Sequence, residues 1–337
     1  MKIFMIGGTG LLGSQAADEL IKRGHEVKTL ALPPLPTGAK LNPKMKIEFG
    51  NYLDMSDEEI ENKMKGCEGF VFAAGVDERV EGPAPIYNLY KKYNIDPISR
   101  LLTIGKKIGI KHVSICGSYF SYFAKIHPEW YLTEDHPYIR SRIDQENVAM
   151  SFAKDGTMDV AVLELPYIFG TQPGRKPVWV FMAEMLLKAK KSVMYTKGGT
   201  AMVTVKQVGE ALAGAIEYNK GGNCYPIGYW NMTWNELLPI FGKALGKDIK
   251  VKTIPSFLYT IGGKAQMKEF KKRGIDSGLN MVAFKTLQCS NLFIDKSLGC
   301  EKLHIGEDDI NKAIADSALL SKDVALKKIQ VVDMKGE

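Results

Sequence analysis

The chain has 337 residues, of which 45% are hydrophobic and 25% charged, with a formal net charge of +7. That is enough to bury a large α/β core beside a smaller lobe, and the balance excludes a disordered chain. Lysines stand in ones and twos, as at Lys106-Lys107, Lys190-Lys191 and Lys271-Lys272, without a block interleaved with aromatics, so no nucleic-acid partner is expected.

The first element is a strand-length apolar run, Met1 to Ile6, too short for a signal segment or a membrane span. A cytoplasmic protein without a membrane partner is therefore expected. Gly7, Gly8, Thr9, Gly10, Leu11, Leu12 and Gly13 follow at once, and a helical pattern runs from Leu11 to Arg23. A strand feeding a G-x-x-G-x-x-G turn and a helix brings backbone N–H groups and a helix N-terminus up to a pyrophosphate. Gly7 permits the tight turn, Gly10 removes a Cβ that would block the phosphates, and Gly13 lets the helix sit close on the strand. A glycine turn that holds no ligand is the alternative. Five cysteines, Cys67, Cys116, Cys224, Cys289 and Cys300, lie far apart and match none of the five histidines at ligand spacing. Free thiols and no metal are expected.

The glycine spacing resembles the short-chain dehydrogenase/reductase superfamily, in its extended branch, the NAD-dependent epimerase/dehydratase family. The resemblance implies an NAD(P) cofactor, a homodimer and an α/β fold. In that fold a Rossmann-type, doubly wound parallel sheet of order 3-2-1-4-5-6, extended by a seventh strand, carries a smaller C-terminal α/β lobe. Residues 1–170 would form the NAD(P)-binding domain, 200–230 would return to it, and 171–337 would mainly hold the substrate.

Glu26 to Leu32 reads as the second strand, and the stretch with Pro33, Pro34, Pro36, Gly38 and Pro43 as loop. Where a carboxylate would hold an NAD ribose, or an Arg an NADP phosphate, stand Ala31 and Leu32. With no acid to repel a phosphate, and Arg23, Lys28 or Lys40 as candidates to reach one, the expectation tilts slightly to NADP. Met45 to Phe49 makes a third strand. Asn51 and Tyr52 then fall where the family carries a turn beside the adenine, while Ser56 with Glu59 signals a helix start. The fourth strand, Gly69 to Ala74, ends in Ala73-Ala74-Gly75, which resembles the family's small-residue turn along the nicotinamide ribose. A close-packed strand end would use the same residues. A helical stretch from Ala84 to Ile110 carries Asn94, matching an Asn that the family keeps beside its active site, with a kink expected at Pro97. In the family this helix also forms part of the dimer's helix bundle.

The fifth strand, His112 to Cys116, leads to Ser118; a loop is expected from Phe123 to His136, then a helix with Tyr138 and Arg142. The family uses a Ser that hydrogen-bonds the substrate oxygen, a Tyr that transfers the proton, and a Lys four residues on. At i and i+4 the cation shares a helix face with the Tyr, so it can hold ribose hydroxyls and lower the Tyr pKa. Ser118 and Tyr138 match that pattern, but Arg142 stands in the Lys position. Its charge persists while its wider planar head needs a different seat. The plain alternative is a helix-surface Arg142 paired with Glu146.

Strand six, Met158 to Leu165, meets Pro166 and Tyr167, which resemble the family segment that approaches the nicotinamide, with Glu164 where the family has Arg. Gln172 to Trp179 is a basic loop in which Arg175, Lys176 and Trp179 suit a phosphate and a ring, or form a solvated turn. Helices are expected at Val178–Lys188, Gln207–Tyr218, Leu237–Leu245 and Glu307–Leu320. Strands are expected at Met202–Val205, Cys224–Ile227 and Asn291–Ile294, with a turn at Gly198-Gly199. The implied activity is an NAD(P)-dependent oxidoreductase of the epimerase/dehydratase type. It would act on a hydroxyl or carbonyl carbon of a sugar-like small molecule, with a nucleotide-linked or anionic one among the candidates. The alternative is a protein that keeps the cofactor cleft, has lost turnover and reports nicotinamide redox state.

Overall fold

In β1 (Lys2–Ile6) alternate side chains serve two different cores. Ile3 and Met5 pack with Ala16, Ala17 and Leu20 of the helix Leu11–Lys22 and with Val208, Ala211 and Leu212 of the helix Val205–Tyr218. Phe4 and Ile6 pack on the other face with Ile60 and Met64 of the helix Asp57–Met64 and with Leu101 and Leu102 of the helix Asp96–Ile108. A strand covered on both faces has no polar alternation, which is why Ile3 to Ile6 are all apolar and only Lys2, at the exposed start, is not. The structure, a computed structural model, describes residues 1–35 and 37–332. Pro36, read above as loop, lies outside the described residues.

Six further strands complete the main sheet: β2 (Glu26–Ala31), β3 (Lys46–Phe49), β4 (Gly69–Phe72), β5 (His112–Cys116), β6 (Asp159–Glu164) and β7 (Gly222–Pro226). Their spatial order is β3-β2-β1-β4-β5-β6-β7 with every pairing parallel. This is the doubly wound sheet that the sequence implies, seventh strand included. The order reverses between β1 and β4, and a crevice forms beyond their carboxyl ends, where the glycine turn begins. No described helix is long and apolar enough to cross a membrane.

After Glu164 the chain begins a second, smaller sheet. Tyr167–Phe169 pairs with Gly199–Thr204, which also pairs with Trp230–Thr233 and Asn291–Leu292. Gly199, expected in a turn, lies inside the strand; a Cβ there would stand 2.5 Å from the Met232 carbonyl of the neighbouring strand. The helix Val205–Tyr218 then returns to cover the main sheet beside the helix Leu11–Lys22.

Two expectations need correction. Most of Phe123–His136 is helical rather than loop, in the segments Tyr119–Ile126, Pro128–Trp130 and Leu132–Asp135. The Ser118 hydroxyl accepts the Phe120 N–H and caps the first segment, whose Tyr119, Phe120 and Phe123 bury together. The stretch carrying Asn94 also deforms earlier than expected. It opens at Tyr87–Tyr90 and passes through a π-helical turn at Lys91–Ile95, then continues as Asp96–Ile108. Pro97 has no N–H to offer the carbonyl one turn back, so the ladder loosens just ahead of it.

Candidate active site

The glycine turn is built by close backbone approach. Gly7 sits at φ +87°, and a Cβ there would lie 2.4 Å from the Ala73 carbonyl oxygen of the β4 end. At Gly13 a Cβ would meet the Gly7 carbonyl oxygen at 2.2 Å, so only glycine lets the helix descend onto the turn. Gly10 is roomier: its Cβ would stand 3.1 Å from the Gly7 oxygen and touch nothing else. The Gly8 N–H donates to Thr29 Oγ1 at 3.0 Å, which fixes the turn to β2. No side chain caps the helix Leu11–Lys22, leaving the N–H groups of its first turn, at Leu11, Leu12 and Gly13, for a ligand. These features fit a pyrophosphate.

The other residues expected at the cofactor fall into two groups. Ala73, Ala74 and Gly75 line the end of β4 against the turn, Gly75 at φ +113°. Pro166 and Tyr167 follow β6 at the same edge, the Tyr167 ring packed on Tyr119 and Trp179. Asn51 instead folds on itself, donating to Asp54 at 2.7 Å and accepting from the Leu53 N–H. Tyr52 lies edge-on to Phe72 and is pushed up to about 12 by burial. Asn94 is fully buried and clamps Val76, accepting its N–H at 2.9 Å and donating to its carbonyl at 3.0 Å. It acts on the backbone that holds the site.

Ser118, Tyr138 and Arg142 converge. Tyr138 is 3% exposed, its ring edge-on to Tyr90 and Phe120, and Ser118 is close enough to its hydroxyl to favour the ionised form. The Arg142 guanidinium lies over the Tyr138 ring, 5.1 Å from its centroid. Arg142 is not paired with Glu146, as the plain alternative held. Its Nη2 donates to the Val76 carbonyl at 3.1 Å, while Nη1 donates to Gln145 at 3.0 Å and to the Cys116 carbonyl at 3.4 Å. Gln145 in turn donates to the Asn94 carbonyl at 2.8 Å. This frame is the seat that the wide guanidinium needs, and sequence reading missed Val76 and Gln145. A Gln three residues after the Arg on one helix face was the available signal. Arg142 Nε is buried without a partner among the described residues. Burial raises the Tyr138 hydroxyl above its ordinary pKa, opposed by Arg142 and Ser118 and aided by the Glu78 carboxylate.

Glu146 and the charge-reversed Glu164 have another partner. Lys125, on the helix Tyr119–Ile126, reaches both carboxylates at 2.8 Å. Burial, then Glu146, holds the Glu164 carboxyl well above its usual range.

The three residues expected to hold substrate separate. Trp179 is buried in the smaller lobe, stacked on Phe169 at 4.4 Å with its Nε1 donating to the Ile168 carbonyl, so its ring is packing and is not presented to a ligand. Lys176 donates its N–H to the Val332 carbonyl. Arg175 stands at the glycine turn, its Nη2 3.5 Å from the Thr9 carbonyl oxygen. Two cations considered for an NADP phosphate are also committed elsewhere. Arg23 binds Glu19 and Glu217, and Lys28 binds Glu48 and the Lys63 carbonyl. Arg23 closes a helix that ends at the amino edge of the sheet, opposite the crevice. The lean toward NADP loses these supports.

The fold and the glycine turn define the class, a Rossmann-type nicotinamide-dependent enzyme. The chain belongs to the NAD dependent epimerase/dehydratase family, whose sequence profile matches residues 3–228. It is 31% identical to a UDP-glucose 4-epimerase of Lactobacillus helveticus over 146 residues, a match spanning 41% of each chain. It is 21% identical, over 93% of its length and 92% of the relative's, to a Synechocystis protein provisionally named dihydroflavonol 4-reductase. Among solved structures it resembles the UDP-N-acetylglucosamine 4-epimerase of Methanobrevibacter ruminantium M1, determined with UDP-N-acetylmuramic acid. The TM-score is 0.65 at 18% identity, covering 97% of this chain and 99% of that one.

Proposed function

We propose that the protein oxidises or reduces a hydroxyl or carbonyl carbon of a sugar-like substrate, with a nucleotide-linked sugar as the first candidate. Ser118, Tyr138 and Arg142 would carry the reaction. The observation that carries this reading is the buried Tyr138 with the Arg142 guanidinium over its ring, 5.1 Å from the centroid, at the sheet edge that bears the glycine turn. The nicotinamide, when bound, supplies a hydride acceptor or donor. Ser118 orients the reacting oxygen. Tyr138 Oη takes the hydroxyl proton when the alcohol is oxidised and gives it back when the carbonyl is reduced. Arg142 favours tyrosinate by its charge, and its buried Nε, which has no partner among the described residues, is the group we assign to a ribose hydroxyl. Because burial leaves Tyr138 protonated near neutral pH, proton donation to a carbonyl is the easier direction in the free protein.

We infer no strong choice between NAD and NADP, since Ala31 and Leu32 provide neither a carboxylate nor a guanidinium. Two copies pairing through the helical stretch that carries Asn94 belong to the same reading, and light scattering measures that. A second reading, reduction of an aromatic ketone, is favoured by the ring wall of Tyr90, Tyr119 and Phe120 around Tyr138. The test is incubation with NAD and UDP-sugars, and with NADH or NADPH and aromatic ketones, following the reduced nicotinamide. Turnover in neither set, with the cofactor bound tightly, would overturn both readings in favour of a sensor.

A further inference from the structure

Loop residues 172–176, which belong to the smaller lobe, are fastened on two sides. Gln172 is 5% exposed, and its Nε2 donates to the Thr9 carbonyl at 3.0 Å and to Ser14 Oγ at 3.3 Å. On the other side the Val332 N–H donates to the Gly174 carbonyl at 2.8 Å, and the Lys176 N–H donates to Val332 at 3.0 Å. Arg175 is thereby held between the C-terminal segment and the glycine turn, its Nη2 3.5 Å from the Thr9 carbonyl. Its Nε is buried without an acceptor, and among the described residues no carboxylate pairs with it. Burial is the one influence on its charge, and it works against the cation.

Arg175 is half-buried with its Nε fully enclosed, and a guanidinium withdrawn from water without a counter-ion is costly unless an anion completes it. Here the neighbouring element is a turn whose open N–H groups suit a pyrophosphate, and Arg is the side chain whose fork matches phosphate oxygens. We propose that Arg175 is a phosphate ligand of the dinucleotide, brought to the glycine turn from the smaller lobe, so that cofactor binding and the placement of residues 172–176 are coupled. The inference rests on the glycine turn being the cofactor site.

The test titrates wild type, Arg175→Gln and Arg175→Lys with NADH, ADP and adenosine, with thermal unfolding of each variant alongside. Arg175→Gln is expected to weaken NADH and ADP at least about tenfold, to leave adenosine within about twofold, and to flatten the salt dependence of NADH binding. Arg175→Lys is expected to recover part of the loss, because the charge returns without the fork. Unchanged NADH affinity in Arg175→Gln, or an equal loss for adenosine and NADH, would overturn the proposal. Wild type that binds neither NADH nor NADPH would instead overturn the cofactor reading on which it rests.

Discussion

The glycine turn and the Tyr138 cluster stand at one edge of one sheet, yet they are specified by opposite means. The turn is made by what is missing: Gly7 and Gly13 place backbone against backbone where a Cβ would be 2.4 Å and 2.2 Å from a carbonyl oxygen. The cluster is made by side chains that bind one another, from Ser118 and Tyr138 to Arg142, Gln145 and Asn94. Backbone geometry tolerates no exchange, so the turn keeps its family spacing. A side-chain network can absorb a change if its partners change too, and Arg142 in the place of Lys is such a change. Its two outer nitrogens are taken up by Val76, Gln145 and Cys116.

That contrast can be broken most forcefully at the turn. Gly10→Val should fold, because the free space beyond the Gly7 carbonyl accepts a small side chain, but the side chain would occupy the pyrophosphate position. NADH affinity is expected to fall by about a hundredfold or more, equivalent to about 2.7 kcal/mol. Calorimetric titration checks it, and equal affinities would remove the turn from the cofactor site.

The next effect belongs to Arg142. Arg142→Ala should weaken NADH binding about tenfold. It should also move the basic limb of the pH–rate profile upward, since the charge that favours tyrosinate is gone while burial still raises Tyr138. The bonds left open at Val76 and Cys116 should lower stability by about 1–3 kcal/mol. Arg142→Lys should give partial activity, because an ammonium cannot reach three acceptors arranged for a planar fork. An unchanged profile in a protein that turns over would show that the cluster does not tune Tyr138.

The smallest effect is at Glu164. A carboxyl whose pKa is raised by folding binds its proton more tightly folded than unfolded. It therefore favours folding below its ordinary value of 4.5, and this stability is lost as pH rises through the folded value. Glu164→Gln keeps the shape and removes the titration, so urea unfolding should show a flatter decline on the alkaline side, by on the order of 1 kcal/mol. A decline as steep as in wild type would mean that Glu164 is already ionised beside Lys125.

The same contrast explains what could be read in advance. The glycine turn was legible because its spacing is a local pattern, and the sheet order followed from the family that the spacing resembles. Ser118 and Tyr138 were legible through the family pattern. The partners of Arg142 were not, since Val76 and Cys116 meet it only through the fold. Trp179 misled because an aromatic in a basic loop looks like a ligand platform until its stacking on Phe169 is seen. Helix Ser256–Arg273 escaped notice because it leaves Phe257, Leu258 and Ile261 exposed and buries Gly263 and Phe270, so its apolar residues do not mark its inner face.

The central claim is that Tyr138 moves the proton in a nicotinamide-dependent reaction, and the most direct measurement is a paired one on Tyr138→Phe. NADH affinity and the single-turnover rate with whichever UDP-sugar or ketone the wild type accepts are determined on the same preparation. The account predicts a rate lower by about 10²–10⁴-fold with NADH affinity within a few-fold of wild type. A rate equal to wild type at equal cofactor affinity would contradict it.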